Sequence, residues 1–301
     1  MHRLIALAGT IGISFSAIFV RLADVAPTTA AVFRTGYALP ALYLAYRATR
    51  SRDDRPPATR GLAFAAGLLL AVDLAAWHTS IGLIGAGMAT LMANLQVPLV
   101  GVVAWAAYRE RPSRTALAMI PLALLGVALL SGLGQEDAYG SNPVAGVLLG
   151  MVAATAYAAF LLAFRHSNRG HLAPAAGPLF DATAGAFAGS LVAAGFDPGF
   201  TLVPSWPAHG WLALLALGSQ VLSWLLITHA LPRMAALETS ALLLAQPAAT
   251  MLWAGLIFGE APSGVQWAGA VLVFAAIGTT AIRGAVRAGI TPGRAAGRRS
   301  S

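Results

Sequence analysis

Residues 73–98 read DLAAWHTSIGLIGAGMATLMANLQVP, and residues 220–247 read QVLSWLLITHALPRMAALETSALLLAQP. Both stretches open on a polar residue, carry a tryptophan four positions later (Trp77 and Trp224), and close on a glutamine near a proline. Between these points both stretches are rich in apolar residues. Because they lie about half the chain apart, they indicate an internal duplication.

Further matches extend the duplication in both directions. Toward the N-terminus, Arg34 aligns with Asp181, and each of the two follows a phenylalanine. Toward the C-terminus, Glu110 and Glu260 each precede an x-Pro-Ser sequence. Each half contains five apolar segments, most of them close to the ~20 residues that a helix needs to cross a bilayer. Since five is an odd number, the second half must enter the membrane in the opposite orientation.

This pattern predicts an all-α integral membrane protein with ten transmembrane helices in two inverted five-helix repeats. We expect helices one to five within 1–134 and helices six to ten within 143–283. Inverted repeats are typical of secondary transporters, which need two interconvertible faces around one central site. The predicted helices lie at 4–20, 28–46, 61–83, 86–107, 115–133, 144–164, 172–195, 208–231, 237–258 and 264–282.

The composition supports a membrane protein. Hydrophobic residues make up 58% of the chain and charged residues only 10%, which is too little polar surface for a soluble protein of this size. The run lengths favour helices, since the strands of a membrane barrel alternate over ~10 residues. The chain contains no cysteine, so disulfides, thiolate metal sites and cysteine nucleophiles are excluded.

The charge distribution predicts the orientation. The formal net charge is +8, and every basic residue except Arg21 and Arg34 falls on one side of the predicted helices. The positive-inside rule therefore predicts that both termini and the loop 47–60 are cytoplasmic and that 135–142 is external. This one-sided pattern argues against a nucleic-acid partner. The basic tail 284–301 is expected to be disordered and to touch lipid headgroups.

Charged and aromatic residues inside the predicted helices mark a candidate site, because each needs a partner or a polar cavity in the membrane. Asp73 is either a proton-coupling group or a structural, hydrogen-bonded one. Trp77 and His78 are expected nearer a cavity, although Trp77 could instead lie at the interface and His78 could be a packing residue. Arg34 is expected near the outer mouth, unless it reaches out to the interface, and Asp181 near the inner one.

Two matched prolines, Pro98 and Pro247, interrupt the fourth and ninth predicted helices. They are either hinges that expose backbone to a cavity or sites of plain curvature. Amide side chains precede both prolines, at Asn94 and Gln246, and Tyr157 offers a hydroxyl in the sixth helix. Glu110 and Glu260 end the fourth and ninth helices, and we expect them to bond neighbouring helix N-termini rather than substrate.

These motifs resemble those of the drug/metabolite transporter superfamily, in particular its ten-helix members with two EamA-type repeats. The resemblance covers 1–283. It rests on the FR dipeptide, on DLAAWHTS followed by ATLMANLQVPLV, and on the glutamates of YRERPS and FGEAPS. It implies cytoplasmic termini, a central cavity open alternately to either side, and export of amino acids or similar metabolites. By the same resemblance, helices one, three, four, six, eight and nine line the cavity with Trp77, His78, Asn94, Tyr157, Trp224 and Gln246.

Three functional classes are compatible with a membrane protein of this kind. A metabolite permease of a bacterial inner membrane, acting as a monomer without cofactor or metal, fits the sequence best. An integral-membrane transferase or hydrolase is the alternative, but the sequence lacks a Gly-x-Ser-x-Gly elbow and clustered His and Glu ligands. A membrane sensor that does not transport is a third possibility, although the sequence offers no large soluble domain. A nucleotide-binding loop is also missing from the sequence, which argues against an ATP-driven pump.

Overall fold

The computed structural model of the protein describes residues 2–109, 114–132, 135–171, 173–230, 234 and 236–289. Throughout these ranges the regular structure is helical, and none of the residues in them belongs to a β-strand. This confirms the predicted all-α class.

The longest connections between consecutive helices join α6 to α7 and α8 to α9. A 3₁₀ turn at Arg50–Arg52 follows α3, and a π-helical segment at Leu215–Ser223 joins α9 to α10. The helices are α1 (His2–Ser14), α2 (Ser16–Ala23), α3 (Pro27–Thr49), α4 (Pro57–Ala93), α5 (Gln96–Tyr108), α6 (Arg114–Leu130), α7 (Pro143–Ser167), α8 (Ala176–Ala194), α9 (Ala208–Leu214), α10 (Trp224–Ala230), α11 (Ala236–Phe258) and α12 (Gly264–Gly289).

Several helical stretches have the length and apolarity of membrane spans. Among the described residues five qualify by length and composition, and two shorter apolar helices lie at Leu117–Leu130 and Leu244–Phe258. The five long stretches are His2–Ala23, Pro57–Ala93, Pro143–Ser167, Ala208–Ala230 and Gly264–Arg283.

The first apolar stretch is broken in its middle, at Phe15 between α1 and α2. Two side chains of α11 contact this break. Thr250 Oγ1 donates a hydrogen bond to the Ser14 carbonyl at 2.8 Å, and Trp253 Nε1 donates to Ser14 Oγ at 3.1 Å. Because a helix break frees backbone carbonyls that must find other donors, these bonds from α11 stabilise the interruption at Phe15.

Helix α4 contains the predicted boundary between the third and fourth segments. Its backbone leaves helical geometry at Gly85, where φ is 84° and ψ is 166°. The Glu260 carboxylate accepts hydrogen bonds from the backbone N–H groups of Ala86 (2.6 Å) and Gly87 (3.1 Å), at the start of the second half of α4. It also pairs with Arg21. The expectation that Glu260 bonds a helix N-terminus is thus confirmed, whereas Glu110 lies outside the described residues.

A second interruption separates α4 from α5 at Asn94 and Leu95. Asn94 Nδ2 donates to the Thr90 carbonyl at 2.8 Å, which turns this side chain back onto α4. Pro98 is the third residue of α5, where a missing N–H costs no intrahelical bond. Pro247, in contrast, lies inside an unbroken α11. The two matched prolines therefore occupy different backbone settings, and their role as hinges stays a prediction.

The π-helical segment Leu215–Ser223 was not expected from the apolar pattern. Ser219 Oγ donates to the Gly12 carbonyl of α1 at 2.9 Å, and Ser223 Oγ donates to the Gly218 carbonyl at 2.9 Å. The wider turn of a π-helix rotates the residues that follow it, and such segments are frequent at functional sites. Here the segment contains Gln220 and immediately precedes Trp224.

Helix α12 extends beyond the predicted end of the last span. It continues to Gly289, so the residues from 284 to 289, which were expected to belong to a disordered tail, are helical. The alanines and arginine of this stretch are favourable helix formers. The remainder of the tail, 290–301, lies outside the described residues.

Candidate functional site

A cavity of about 100 Å³ lies among helices from both halves of the chain. Its lining residues come from α1 to α5, from α7 and α8, from the π-helical segment, and from α10 and α11. At about 30 Å³ per water in the liquid, the space holds a few waters or one small solute. The polar side chains that line it belong to Ser16, Arg34, Asp73, Thr90, Asn94, Gln96, Tyr157, Thr183, Gln220 and Gln246.

The structure brings most of the predicted site residues to this cavity. Trp77, Asn94, Tyr157, Trp224 and Gln246 all line it. So do Arg34 and Asp73, which were predicted only as coupling or structural groups. The lining also includes α3 and α8, the second and seventh predicted helices, which the family resemblance does not place there. Helix α3 contributes the long side chain of Arg34, and α8 contributes Leu179, Ala182 and Thr183.

Arg34 is the cation of the cavity. Arg34 is only 7% exposed, so its side chain does not extend to the membrane interface. Nε donates a hydrogen bond to Gln220 Oε1 of the π-helical segment at 3.0 Å, and Cζ lies 5.5 Å from the centre of the Trp77 ring. Nη1 is buried and has no hydrogen-bond partner in the described structure. The guanidinium is thus held in place on one side and unpaired on the other.

Asp73 supplies a carboxyl group to the same cavity. It is 6% exposed, and among the described residues it accepts no hydrogen bond and has no cation within 4 Å. Charged groups at membrane depth normally pair or face a polar cavity. This arginine and this aspartate face one cavity without touching each other.

Unpaired buried polar atoms are concentrated around the cavity. The described structure contains eight buried side-chain nitrogen or oxygen atoms without a partner, and five of them belong to cavity-lining residues. Since buried polar atoms are nearly always hydrogen-bonded, this concentration indicates a place for a polar ligand or ordered water. The five residues are Ser16, Arg34, Trp77, Thr90 and Gln96.

Aromatic side chains form another part of the cavity wall. Tyr157 and Phe160, three residues apart on one face of α7, have ring centroids 5.5 Å apart. Trp77 contributes from α4 and Trp224 from the start of α10. A largely apolar wall with a few convergent polar groups is the usual form of a small-molecule site.

His78 does not reach the cavity, contrary to the prediction. It is 2% exposed, and its Nδ1 donates a hydrogen bond to the Pro27 carbonyl, at 3.1 Å, at the start of α3. The reason is helical rotation: at 100° per residue His78 lies about 140° around the helix from Asp73, which faces the cavity. The structure therefore gives His78 a packing environment, one of the two readings that the sequence left open.

Asp181 also lies away from the cavity, in an ionic cluster. Its carboxylate accepts hydrogen bonds from Arg55 and Arg60, each at 2.9 Å. Arg55 also pairs with Asp53 at 2.8 Å, and its hydrogen bond holds the pKa of the Asp53 carboxyl below the usual range. Arg34 and Asp181 thus have different surroundings, and Asp181 connects α8 to the loop before α4. Their expected positions near the outer and inner mouths stay predictions.

Some lining residues have no clear signal in the sequence. Ser16 and Thr90 lie in apolar segments, where isolated hydroxyl groups usually bond their own helix. Gln220 has no signal in the sequence beyond its position, which matches that of Asp73 in the first repeat. Its bond to Arg34 depends on the π-helical turn, so no regular helical spacing would have placed it there.

Comparisons with known proteins agree with this architecture. The profile of the EamA-like transporter family matches the chain twice, over 3–132 and 144–282. A crystal structure described only as that of a protein has a TM-score of 0.59 at 20% identity, and the match covers 95% of this chain and 98% of that chain. At this identity the likeness shows the fold alone. No curated protein matches the sequence significantly.

The family match and the long apolar helices together identify a multi-pass membrane protein. They also confirm the resemblance to drug/metabolite transporters with two EamA repeats, since the profile covers each half separately. The chain belongs to the EamA-like transporter family.

Proposed function

We propose that this protein is a secondary transporter that exports amino acids or related small metabolites by alternating access around the central cavity. The observation that carries the proposal is the cavity itself. Charged and amide side chains from both halves of the chain surround a space inside an apolar helical bundle. A solute path through a membrane requires such a polar space, and in secondary transporters it lies where two repeats meet.

The proposed architecture has ten membrane crossings in two inverted repeats. The joined helices α1 and α2 form the first crossing, α3 the second, and the first half of α4 the third. The remainder of α4 with α5 forms the fourth, and α6 the fifth. In the second half the crossings are α7, α8, the continuous stretch Ala208–Ala230, α11 and α12.

Interrupted helices support alternating access in particular. The breaks at Phe15 and at Asn94 and the π-helical segment each adjoin residues that line the cavity. In transporters, unwound backbone at membrane depth is tolerated where it lines a cavity, and it gives the two repeats room to rock. We infer that rocking about these breaks opens the cavity to one side at a time.

The proposed location is a bacterial inner membrane, with both termini in the cytoplasm and a monomer as the working unit. The support for this orientation is the arginine asymmetry. It places the ionic cluster of Arg55, Arg60 and Asp181 at the cytoplasmic end, and the pair of Arg21 and Glu260 at the external end.

Counterflow in proteoliposomes tests the proposed function. Vesicles with the purified protein are loaded with a panel of amino acids, nucleosides and sugars, and uptake of the matching labelled compound is measured. We expect at least one compound to exchange faster than in empty vesicles. If folded protein exchanges no member of the panel, the proposal of metabolite transport is contradicted.

Two phenylalanine variants of α4 link exchange to the cavity. Ala93 lines the cavity, so Ala93→Phe should fill it and lower exchange roughly tenfold or more, as expected for overpacking a site. Ala65 is exposed on the same helix, and Ala65→Phe should exchange like the wild type. Equal exchange by both variants would place the solute path elsewhere.

A further inference from the structure

We propose that the cavity recognises its substrate as a zwitterion, with the substrate carboxylate on Arg34 and the substrate ammonium on Asp73. This inference rests on the proposed transport function and deepens it. It identifies the two residues that select the substrate, and it excludes amines, simple carboxylates and dianions as preferred substrates.

Arg34 is built to receive a carboxylate. Its Nε is engaged by Gln220 at 3.0 Å, and the guanidinium lies 5.5 Å from the Trp77 ring, so its plane is fixed before a ligand arrives. Nη1 remains buried without a partner. The planar fork of arginine matches the two oxygens of a carboxylate, and a fixed fork loses little entropy when it binds.

Asp73 is built to receive a cation. It lines the same cavity, and no donor of the described residues bonds its carboxylate. If Arg34 were its intended partner, the two side chains would be expected to meet as an ion pair, yet no ion pair within 4 Å joins them. Each charge is therefore left for an opposite charge brought by the ligand.

The pair also sets what the cavity rejects. A substrate with only an ammonium would leave the Arg34 charge uncompensated, and a simple carboxylate would leave Asp73 uncompensated. A dianion would bring excess negative charge toward Asp73. An uncompensated charge in a desolvated site is strongly unfavourable. The aromatic wall of Trp77, Tyr157 and Trp224 favours an apolar side chain on the zwitterion.

Matched analogues test the proposal on the wild-type protein. We would measure counterflow of labelled L-leucine, of 3-methylbutylamine, which lacks the carboxylate, and of 4-methylpentanoate, which lacks the amino group. Alanine, valine and phenylalanine are each tested in the same way, together with the amine that lacks the carboxylate and the acid that lacks the amino group. We expect the amino acid of at least one triplet to exchange and its two analogues to exchange at least about tenfold less, which is the loss of one charge-assisted bond.

The outcomes separate this inference from the proposed function. Exchange of an amine or a carboxylate at the rate of its parent amino acid overturns zwitterion recognition, while transport itself stands. Exchange of sugars or nucleosides without exchange of amino acids would likewise overturn zwitterion recognition and leave transport standing. If folded protein exchanges none of these compounds, transport is contradicted and the inference falls with it.

Variants then assign the two charges. Arg34→Gln should raise the amino acid concentration for half-maximal counterflow by about 10- to 100-fold, the range expected for a lost charge-assisted bond. It should also abolish the preference for leucine over 3-methylbutylamine, which a purely structural role would not do. Asp73→Asn should abolish the preference for leucine over 4-methylpentanoate in the same way.

Matched controls keep the result interpretable. Arg47 lies exposed at the end of the same helix as Arg34, and Arg47→Gln should leave the half-maximal concentration and both preferences unchanged. Arg34→Lys retains a positive charge and should recover part of the preference for a carboxylate. If Arg34→Gln does not fold, Arg34→Lys and the wild-type analogue series still decide. Unchanged selectivity in folded Arg34→Gln would overturn the assignment.

Discussion

At the residue scale, neighbouring positions of α4 have opposite environments. Trp77 faces the cavity and lies under the Arg34 guanidinium, whereas His78 donates a hydrogen bond to the Pro27 carbonyl. That bond joins α4 to the first turn of α3. The imidazole thus connects two helices that both line the cavity, without lining it itself.

This geometry predicts a structural effect of His78 substitution. His78→Ala removes the hydrogen bond that joins α4 to the Pro27 carbonyl of α3 and should lower the free energy of unfolding by about 1 kcal/mol. The midpoint of thermal unfolding in detergent measures this loss, and His78→Gln, which keeps a donor, should recover part of it. The half-maximal concentration for counterflow should not change. A shift in that concentration at unchanged stability would restore His78 to the substrate site.

Residue types and spacing predict part of the site. Because charged and amide residues are costly in apolar helices, their positions alone single out Arg34, Asp73, Asn94 and Gln246, all of which line the cavity. The helical angle between Asp73 and His78 is equally predictable. Which of the two faces the cavity is not, because that depends on how α4 is rotated against its neighbours.

At the element scale, Gly85 divides α4 into two helical halves. Gly85 has a φ of 84°, and a Cβ there would lie 2.6 Å from the Glu260 carboxylate. The side chain would therefore displace the group that bonds the N–H groups of Ala86 and Gly87. The backbone conformation of Gly85 and the hydrogen bonds of the Glu260 carboxylate therefore depend on each other: the carboxylate reaches the N–H groups of Ala86 and Gly87 only because residue 85 has no side chain.

Two alanine substitutions test whether the backbone at residue 85 must be glycine. Gly85→Ala should lower the free energy of unfolding by about 1–3 kcal/mol, since it combines backbone strain with partial loss of the bonds to Glu260. Gly82 lies one turn earlier with no atom within 4 Å of an added Cβ, and Gly82→Ala should be neutral or slightly stabilising. Thermal midpoints of both proteins in the same detergent give the comparison. Equal midpoints for the two variants would contradict the role of Gly85.

Element boundaries were predictable where backbone chemistry marks them. The third and fourth predicted segments meet at 83–86, and the structure breaks α4 at Gly85. The break at Phe15 and the π-helical segment had no such mark, because their sequences are apolar and helix-compatible. Hydrogen bonds from distant residues stabilise them, such as that of Thr250 to Ser14. Long-range contacts of this kind leave no trace in local sequence.

At the scale of the whole molecule, two ionic groupings lie far apart along α4. Arg60, near its start, pairs with Asp181, and Gly85 lies beside the pair of Arg21 and Glu260. Gly85 lies 25 positions after Arg60, which corresponds to about 37 Å along a helix at 1.5 Å per residue. Since this exceeds the hydrocarbon thickness of about 30 Å, the two groupings fit opposite membrane surfaces, with the cavity between them.

Two single-cysteine variants test which surface is cytoplasmic. The chain has no native cysteine, and both Ser51 and Ser141 are exposed, so serine-to-cysteine changes at these positions differ mainly in their proposed side. The positive-inside rule predicts that Ser141→Cys reacts with a membrane-impermeant thiol reagent in intact cells. Ser51→Cys should react only after the membrane is permeabilised.

Labelling after permeabilisation is the control that each thiol is accessible. Reaction of Ser51→Cys but not Ser141→Cys in intact cells would invert the topology, and would move Arg21 and Glu260 to the cytoplasmic end of the cavity.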